Sequence, residues 1–182
     1  MAAVGFDLYS RLLAEAVEAQ KAELEGRAPV VVPSQAVVDL PLEAHLPDDY
    51  VPDEAQKLEL YRRLARARTA GDIAAFRQEI TDRFGAMPQP VIRLVEVAEL
   101  RLVAEGAGVS SISREDGLLV VRFGAGLSRA TAMNLLGDGG LPGVRSTDMT
   151  FASNQVRIRV LASPARAWEL TQAIVARLAG PH

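Results

Sequence analysis

The stretch PVIRLVEVAELRLVAEGAGVSSISREDGLLVVRF, residues 90–123, decides the fold class of this 182-residue chain. Its first half is apolar over a wide arc at helical spacing and begins with a proline, which suits a first helical position. Its second half changes to short apolar and β-branched runs on either side of Glu115-Asp116-Gly117. This pattern predicts strands over residues 109–113 and 118–123 joined by a hairpin turn. A helix is therefore followed by a sheet.

Two capped helices are predicted upstream of that stretch. Asp53 with Gln56, and Thr69 with Asp72, have the spacing of a capping box, which satisfies free backbone N–H groups at a helix start. Gly85 ends the second helix, because glycine adopts the left-handed conformation past a helix end. The apolar face of that helix comprises Ile73, Phe76, Ile80 and Phe84.

Strands and helices alternate after the hairpin. We predict strands over residues 144–151 and 156–161, a short helix over 128–136, and a last helix capped by Ser163 with Trp168, Thr171, Val175 and Leu178 on its inner face. A short strand is also predicted over residues 36–40. The expected fold class is α+β, with N-terminal helices followed by a small antiparallel sheet packed against helices.

The first 35 residues differ from the rest. Apolar side chains from Phe6 to Val17 recur at helical spacing, which predicts an amphipathic helix over residues 1–26. Pro29 and Pro33 indicate a linker over residues 27–35. We therefore expect a single domain over residues 36–180 with a loosely attached first helix.

Composition narrows the classes of function. The chain has no cysteine, which excludes disulfides and thiolate zinc sites and fits a reducing cytoplasm. Its net charge is −3, whereas a domain that grips duplex DNA is usually basic, so the charge favours a protein partner. No apolar run approaches the roughly 20 residues of a membrane helix, and the N-terminus lacks a signal-peptide pattern. A cytoplasmic protein with no membrane partner is expected.

Signals for catalysis are missing from the sequence. His45 and His182 have no metal-ligand spacing to any partner. Neither a nucleophile elbow nor a phosphate-binding loop with its lysine occurs. The sequence therefore predicts no catalytic residue, cofactor or metal in this chain.

Two segments offer alternative functions. Residues 124–130, GAGLSRA, follow a predicted strand and open a predicted helix, as a dinucleotide fingerprint does, and Asp148 lies about twenty residues on. Arg129, however, stands where that fingerprint has glycine or alanine. A free-standing domain that binds a nucleotide or small ligand is the first alternative. A nucleic-acid clamp through Arg62 and Arg66, which share a helix face, is the second.

Glu79 and Asp82 lie three residues apart on the second capped helix, opposite its apolar face. Both carboxylates are expected to point outward, and Arg83, four residues after Glu79, is placed to pair with it. The same spacing predicts a pair between Glu59 and Arg63 on the preceding helix. The residues alone indicate a solvated, partly paired surface.

The order of these segments resembles that of bacterial transcription-repair coupling factors, the Mfd family. The resemblance covers about the first 110 residues, and the remainder is similar mainly in its pattern of strands and helices. The blocks that carry it are Gly5-Phe6-Asp7-Leu8-Tyr9, Leu40-Pro41, Leu46-Pro47-Asp48-Asp49-Tyr50, Leu58-Glu59-Leu60-Tyr61-Arg62-Arg63-Leu64 and Glu79-Ile80-Thr81-Asp82-Arg83-Phe84-Gly85.

The resemblance implies a non-catalytic C-terminal regulatory domain of an ATP-driven double-stranded DNA translocase. Proteins of this family displace stalled RNA polymerase and recruit the UvrA repair protein, and their motor, with its ATP and Mg sites, precedes the segment seen here. The resemblance further implies that this domain docks on a UvrB-like N-terminal module and hides its UvrA-binding surface. The family's docking acids fall on Glu79 and Asp82.

Overall fold

The computed structural model describes residues 35–136, 140–160 and 164–180. The chain divides into two compact units, one holding Glu43–Ala98 and the other holding Ala36–Leu42 together with the chain from Glu99 onward. The predicted first helix over residues 1–26, almost all of the linker, Ser163 and His182 lie outside the described residues. The domain boundaries inferred from the sequence remain predictions.

The first unit is built from helices α1 (Glu54–Arg66) and α2 (Ala70–Phe84) and the first part of α3 (Gln89–Gly106). Both predicted helix starts are confirmed. The Asp53 carboxylate accepts a hydrogen bond from the Gln56 N–H at 2.7 Å. The Thr69 hydroxyl accepts from the Asp72 N–H at 3.1 Å, and the Asp72 carboxylate accepts from the Thr69 N–H at 2.9 Å. These bonds satisfy N–H groups that a helix start leaves free.

The proline-rich loop before α1 is tied to both helices by side chains. The Leu46 N–H donates to the Tyr61 hydroxyl at 2.8 Å, and the Tyr50 hydroxyl donates to the Gly85 carbonyl at 2.9 Å. The ammonium group of Lys57, a residue that is 8% exposed, pairs with Asp48. That hydrogen bond lowers the pKa of Asp48. The loop therefore has a fixed path without secondary structure of its own.

The second unit contains a five-stranded sheet in the order β1-β2-β3-β5-β4. Its strands are β1 (Val37–Asp39), β2 (Val109–Glu115), β3 (Leu118–Phe123), β4 (Met149–Phe151) and β5 (Gln155–Arg159). The pairs β2–β3, β3–β5 and β4–β5 are antiparallel as predicted, whereas β1 runs parallel to β2. A parallel pair needs a long crossover, which the helices between β1 and β2 supply. The sheet is mixed, and the fold class is α+β.

The turn between β2 and β3 is confirmed. Asp116 and Gly117 both have positive φ angles, +47° and +78°, as the two-residue turn that matches strand twist requires. The strand predicted over residues 144–151 is shorter than expected, because Ser146–Asp148 forms a 3₁₀ turn. The Asp148 carboxylate accepts from the Arg145 N–H at 3.2 Å, and this local bond competes with strand pairing.

The core of the second unit includes one face of the sheet and the inner face of the last helix. Helices α4 (Arg129–Leu136) and α5 (Pro164–Ala179) follow β3 and β5 in the chain. The predicted inner face of α5 is confirmed for Trp168, Thr171 and Val175, which are buried, while Leu178 is half-buried. The buried residues of the sheet face are Ile112, Leu119, Val121, Phe123, Val156 and Ile158.

Candidate partner-docking site

The two acids singled out from the sequence lie on the outer side of α2. Ile73, Phe76 and Ile80 of this helix are buried, and Asp82 is exposed. The Glu79 side chain is 31% exposed. Helical periodicity therefore places both carboxylates away from the core, as predicted.

Glu79 links α2 to α1. One of its carboxylate oxygens accepts a hydrogen bond from Arg63 of α1, and the other accepts from Arg83 at 3.3 Å. The predicted Glu79–Arg83 pair is thus confirmed. The predicted pair between Glu59 and Arg63 is wrong, because Arg63 donates to Glu79 of the neighbouring helix instead.

Arg83 is held by three groups. Besides Glu79, its guanidinium donates to the Gln56 side-chain oxygen at 3.3 Å. It also lies over the Phe84 ring, 5.2 Å from the ring centroid, a distance at which cation–π attraction operates. Arg83 therefore has a defined position at the C-terminal end of α2.

Asp82 has a different environment from Glu79. Its carboxylate is exposed and makes no hydrogen bond or ion pair with any described residue. It lies in the last turn of α2, where the helix dipole presents its negative end. An acid there raises the free energy of the helix, and a cation brought by a partner would offset that cost.

Two backbone N–H groups of the segment over residues 124–130 are bound to carbonyl groups elsewhere in the chain. The Gly124 N–H donates to the Gly108 carbonyl at 3.1 Å, and the Leu127 N–H donates to the Ser153 carbonyl at 2.9 Å. Ser128 caps α4 by accepting from the Thr131 N–H at 3.0 Å. A phosphate cradle needs free backbone N–H groups. The strand before this segment also pairs only with antiparallel neighbours, unlike a dinucleotide-binding unit.

The remaining candidates from the sequence stay apart from one another. Arg62 and Arg66 are exposed on α1 and have no partner among the described residues, and His45 is exposed in the loop before α1. Across the described part of the chain, no three His, Asp or Glu side chains come together as a metal site. None of the helices in the described ranges is long and apolar enough to cross a membrane.

Sequence reasoning missed the bond between Arg63 and Glu79. A short connection between two helices favours their packing as antiparallel neighbours. A contact between α1 and α2 was therefore foreseeable. Which side chains meet depends on the rotation of each helix about its axis, and the positions of charged residues do not reveal that rotation.

Comparisons with known proteins agree with this fold. The sequence model of the TRCF domain matches residues 40–132, more than half of the chain. The transcription-repair-coupling factor of Mycobacterium bovis is 44% identical over 119 residues, which are 62% of this chain and 10% of that protein. The Escherichia coli factor is 35% identical over 123 residues, which are 68% of this chain and 11% of that protein.

A solved structure has a similar fold. The crystal structure of the C-terminal domain of a transcription-repair coupling factor aligns with a TM-score of 0.63 and 19% identity, over 80% of this chain and 92% of that one. Together with the domain match, this similarity of fold defines the class of the protein as a TRCF-type α+β domain. The chain belongs to the family of transcription-repair-coupling factors. It spans about a tenth of the length of the curated relatives it matches.

Proposed function

We propose that this chain is a non-catalytic regulatory domain that docks through the outer face of α2 onto another part of a transcription-repair coupling factor. Family membership supports the assignment of the chain to a transcription-repair coupling factor. In this proposal the motor of the parent protein hydrolyses ATP with Mg and translocates on double-stranded DNA. The parent displaces stalled RNA polymerase and recruits UvrA in the cytoplasm.

One observation supports the docking face above the others: the exposed, unpartnered carboxylate of Asp82. An acid in the last turn of a helix costs about 0.3–1 kcal/mol at low ionic strength. No described residue forms a hydrogen bond or ion pair with the Asp82 carboxylate, and Arg83, adjacent to it in the chain, is bound to Glu79 and Gln56. A basic group on a partner would turn an unfavourable position into a favourable one.

The proposed partner is the UvrB-like N-terminal module of the same protein. While docked, this domain covers the surface that UvrA binds, and undocking exposes it. Because the contact is intramolecular, a linker of suitable length gives an effective concentration on the order of millimolar, and a modest interface suffices. Two acids on one exposed helix face fit such a modest interface.

Charge reversal in the full-length protein tests the proposal. Glu79→Lys with Asp82→Lys removes the attraction and adds repulsion, so UvrA should bind without a polymerase substrate. Removing one partner of a desolvated charge pair costs roughly 2–5 kcal/mol. A loss of about 2.8 kcal/mol would raise the undocked fraction about 100-fold if docking dominated beforehand. The measurement is the affinity of full-length wild type and variant for UvrA.

The matched control is Glu59→Lys. Glu59 is another exposed acid of the first unit without a partner in the described residues, and it lies on α1. This substitution should leave UvrA affinity unchanged. Circular dichroism of the isolated domain checks that each variant folds. An unchanged UvrA affinity in a folded Glu79→Lys, Asp82→Lys protein would mean that these acids are only a solvated helix face.

A further inference from the structure

We infer that Arg63 regulates docking by competing, from within the domain, for the Glu79 carboxylate. The inference rests on the proposed function and adds a role for Arg63 that the sequence pattern did not indicate. It starts from the environment of Glu79. Both carboxylate oxygens already accept hydrogen bonds, one from Arg63 and one from Arg83.

The charge around Glu79 opposes an incoming cation. One carboxylate faces two guanidinium groups, so this cluster of Glu79, Arg63 and Arg83 carries a net positive charge. A basic side chain of the partner would therefore approach like charges unless one arginine moved aside. Asp82 presents no such barrier, because it has no cation bound to it in the described structure.

The two arginines differ in the number of groups that they contact. Arg83 contacts Glu79, Gln56 and the Phe84 ring. The contact described for Arg63 is with Glu79, and the two side chains are about equally exposed, 46% for Arg63 and 48% for Arg83, so the arginines differ in their number of contacts and not in exposure. Arg63 is therefore the group that a partner's cation would displace, while Arg83 stays in place.

Docking at Glu79 is then an exchange of ion pairs. The partner's cation gains the contact that Arg63 loses, so the number of ion pairs is unchanged at this position. At Asp82 a new pair forms without loss of an old one. Asp82 should contribute more to docking than Glu79, and removal of Arg63 should strengthen docking by freeing the Glu79 carboxylate.

Arg63→Gln and Arg62→Gln in the full-length protein form a matched pair. Each removes one positive charge at neighbouring positions of α1, but only the first frees Glu79, since Arg62 is exposed with no described partner. Arg63→Gln should lower UvrA affinity in the absence of polymerase about 2- to 5-fold relative to Arg62→Gln, the size expected for one exposed ion pair. In a Glu79→Gln background the difference should disappear.

The outcomes separate this inference from the proposed function. If Glu79→Lys with Asp82→Lys exposes the UvrA site but Arg63→Gln and Arg62→Gln behave alike, the competition is absent while docking stands. If the double lysine variant changes nothing, docking itself fails. Should Arg63→Gln prevent folding, Arg63→Lys keeps the charge with a weaker hold on the carboxylate and should show a smaller decrease in the same direction. Equal UvrA affinity of Arg63→Lys and wild type would then overturn the inference.

Discussion

Glu79 and Asp82 are three residues apart on one helix and differ in what surrounds them. Glu79 joins α1 to α2 through Arg63 and is also bound by Arg83. Asp82 has no partner in the described residues and lies at the unfavourable end of the helix dipole. The first acid therefore contributes to the fold of the first unit, whereas the second makes no such contribution through a described contact.

Asp82→Asn should stabilise the isolated chain. The substitution removes a negative charge from the last turn of α2, where such a charge costs about 0.3–1 kcal/mol. It also removes the like-charge neighbour of Glu79 on the same helix face. In a domain of this size that gain corresponds to a rise in Tm of about 1–4 °C, since 1 kcal/mol shifts Tm by roughly 2–4 °C. The measurement is thermal unfolding at low salt.

Glu59→Gln is the control for that experiment. Glu59 is exposed in the middle of α1, away from either helix end, so its neutralisation should leave Tm nearly unchanged. A fall in the Tm of Asp82→Asn would contradict the conclusion that Asp82 is unpaired in an unfavourable position. It would reveal a stabilising contact of Asp82 within the domain.

The β2–β3 hairpin carries a polar network on the face opposite to Ile112, Leu119 and Val121. The Arg122 guanidinium donates to both carboxylate oxygens of Glu115, at 2.9 and 3.0 Å, and to the Ser113 hydroxyl at 3.2 Å. Ser113 is the register partner of Val120, which is 1% exposed. The hydrogen bonds from Arg122 and Ser113 lower the pKa of Glu115 from 4.5 to about 2.

Glu115→Gln should destabilise the chain in a manner that depends on pH. Because the folded-state pKa is lower than the unfolded value, the stabilisation by Glu115 is fully present above pH 4.5. It is lost as the pH falls through the window from 4.5 to about 2. The difference in urea midpoint between wild type and Glu115→Gln should therefore be largest near neutral pH and shrink toward pH 2.

Asp116→Asn serves as the comparison for the pH experiment. Asp116 adopts a positive φ angle, which asparagine also tolerates, and its side chain is exposed. Its effect on the urea midpoint should vary little over the same pH range. If the Glu115→Gln difference stayed constant from pH 6 to pH 2, the Arg122 bond would not be responsible for it.

Two of the sequence blocks that carry the family resemblance lie in the proline-rich loop and in α1, and their contacts stabilise the fold. In the Leu46-Pro47-Asp48-Asp49-Tyr50 block, the Leu46 N–H, Asp48 and Tyr50 each bond to a helix or its end. Within the Leu58–Leu64 block, Tyr61 receives one of those bonds. These blocks, which the resemblance rests on, therefore stabilise the first unit more than they supply chemistry.

The chain consists of a part that matches the TRCF domain and a part that follows this match. Residues 40–132 match the TRCF domain, and that range ends within α4. Strands β4 and β5 and helix α5 follow it, and they complete the sheet and the buried core of the second unit. The proposed docking acids belong to the matched part.

The purified chain should not hydrolyse ATP, with or without duplex DNA. In the described structure the glycine segment over residues 124–130 has its Gly124 and Leu127 N–H groups bound to backbone carbonyls, and the sequence contains no phosphate-binding loop. Phosphate release should remain at the level of buffer under conditions in which a full-length coupling factor is active. Stoichiometric, repeated turnover by the chain would contradict the proposal of a non-catalytic domain.

A nucleotide screen by thermal shift is the companion measurement. A ligand that binds only the native state raises Tm, so neither ATP nor a dinucleotide should change it. A saturable rise in Tm would revive the ligand-binding alternative at residues 124–130.

Local features of this protein were predictable because their causes lie within a few residues. Side chains next to the helix starts at Glu54 and Ala70 make the caps, and Asp116 with Gly117 makes the hairpin turn. The family itself was recognisable from short blocks. The strand over residues 144–151 was overpredicted, because a bond between Arg145 and Asp148 at the same short range favours a turn.

Only the tertiary structure decided what depends on the relative placement of distant residues. Three such features join separate elements: the parallel pairing of β1 with β2, the hydrogen bonds from Gly124 and Leu127 to the Gly108 and Ser153 carbonyls, and the bond of Arg63 to Glu79. Helical and strand periodicity specifies which face of an element is buried, but not which neighbour faces it. Within the described residues, the sequence by itself therefore determined most of the elements, their order and the family. The bonding states that distinguish Glu79 from Asp82 follow from the packing of α1 against α2.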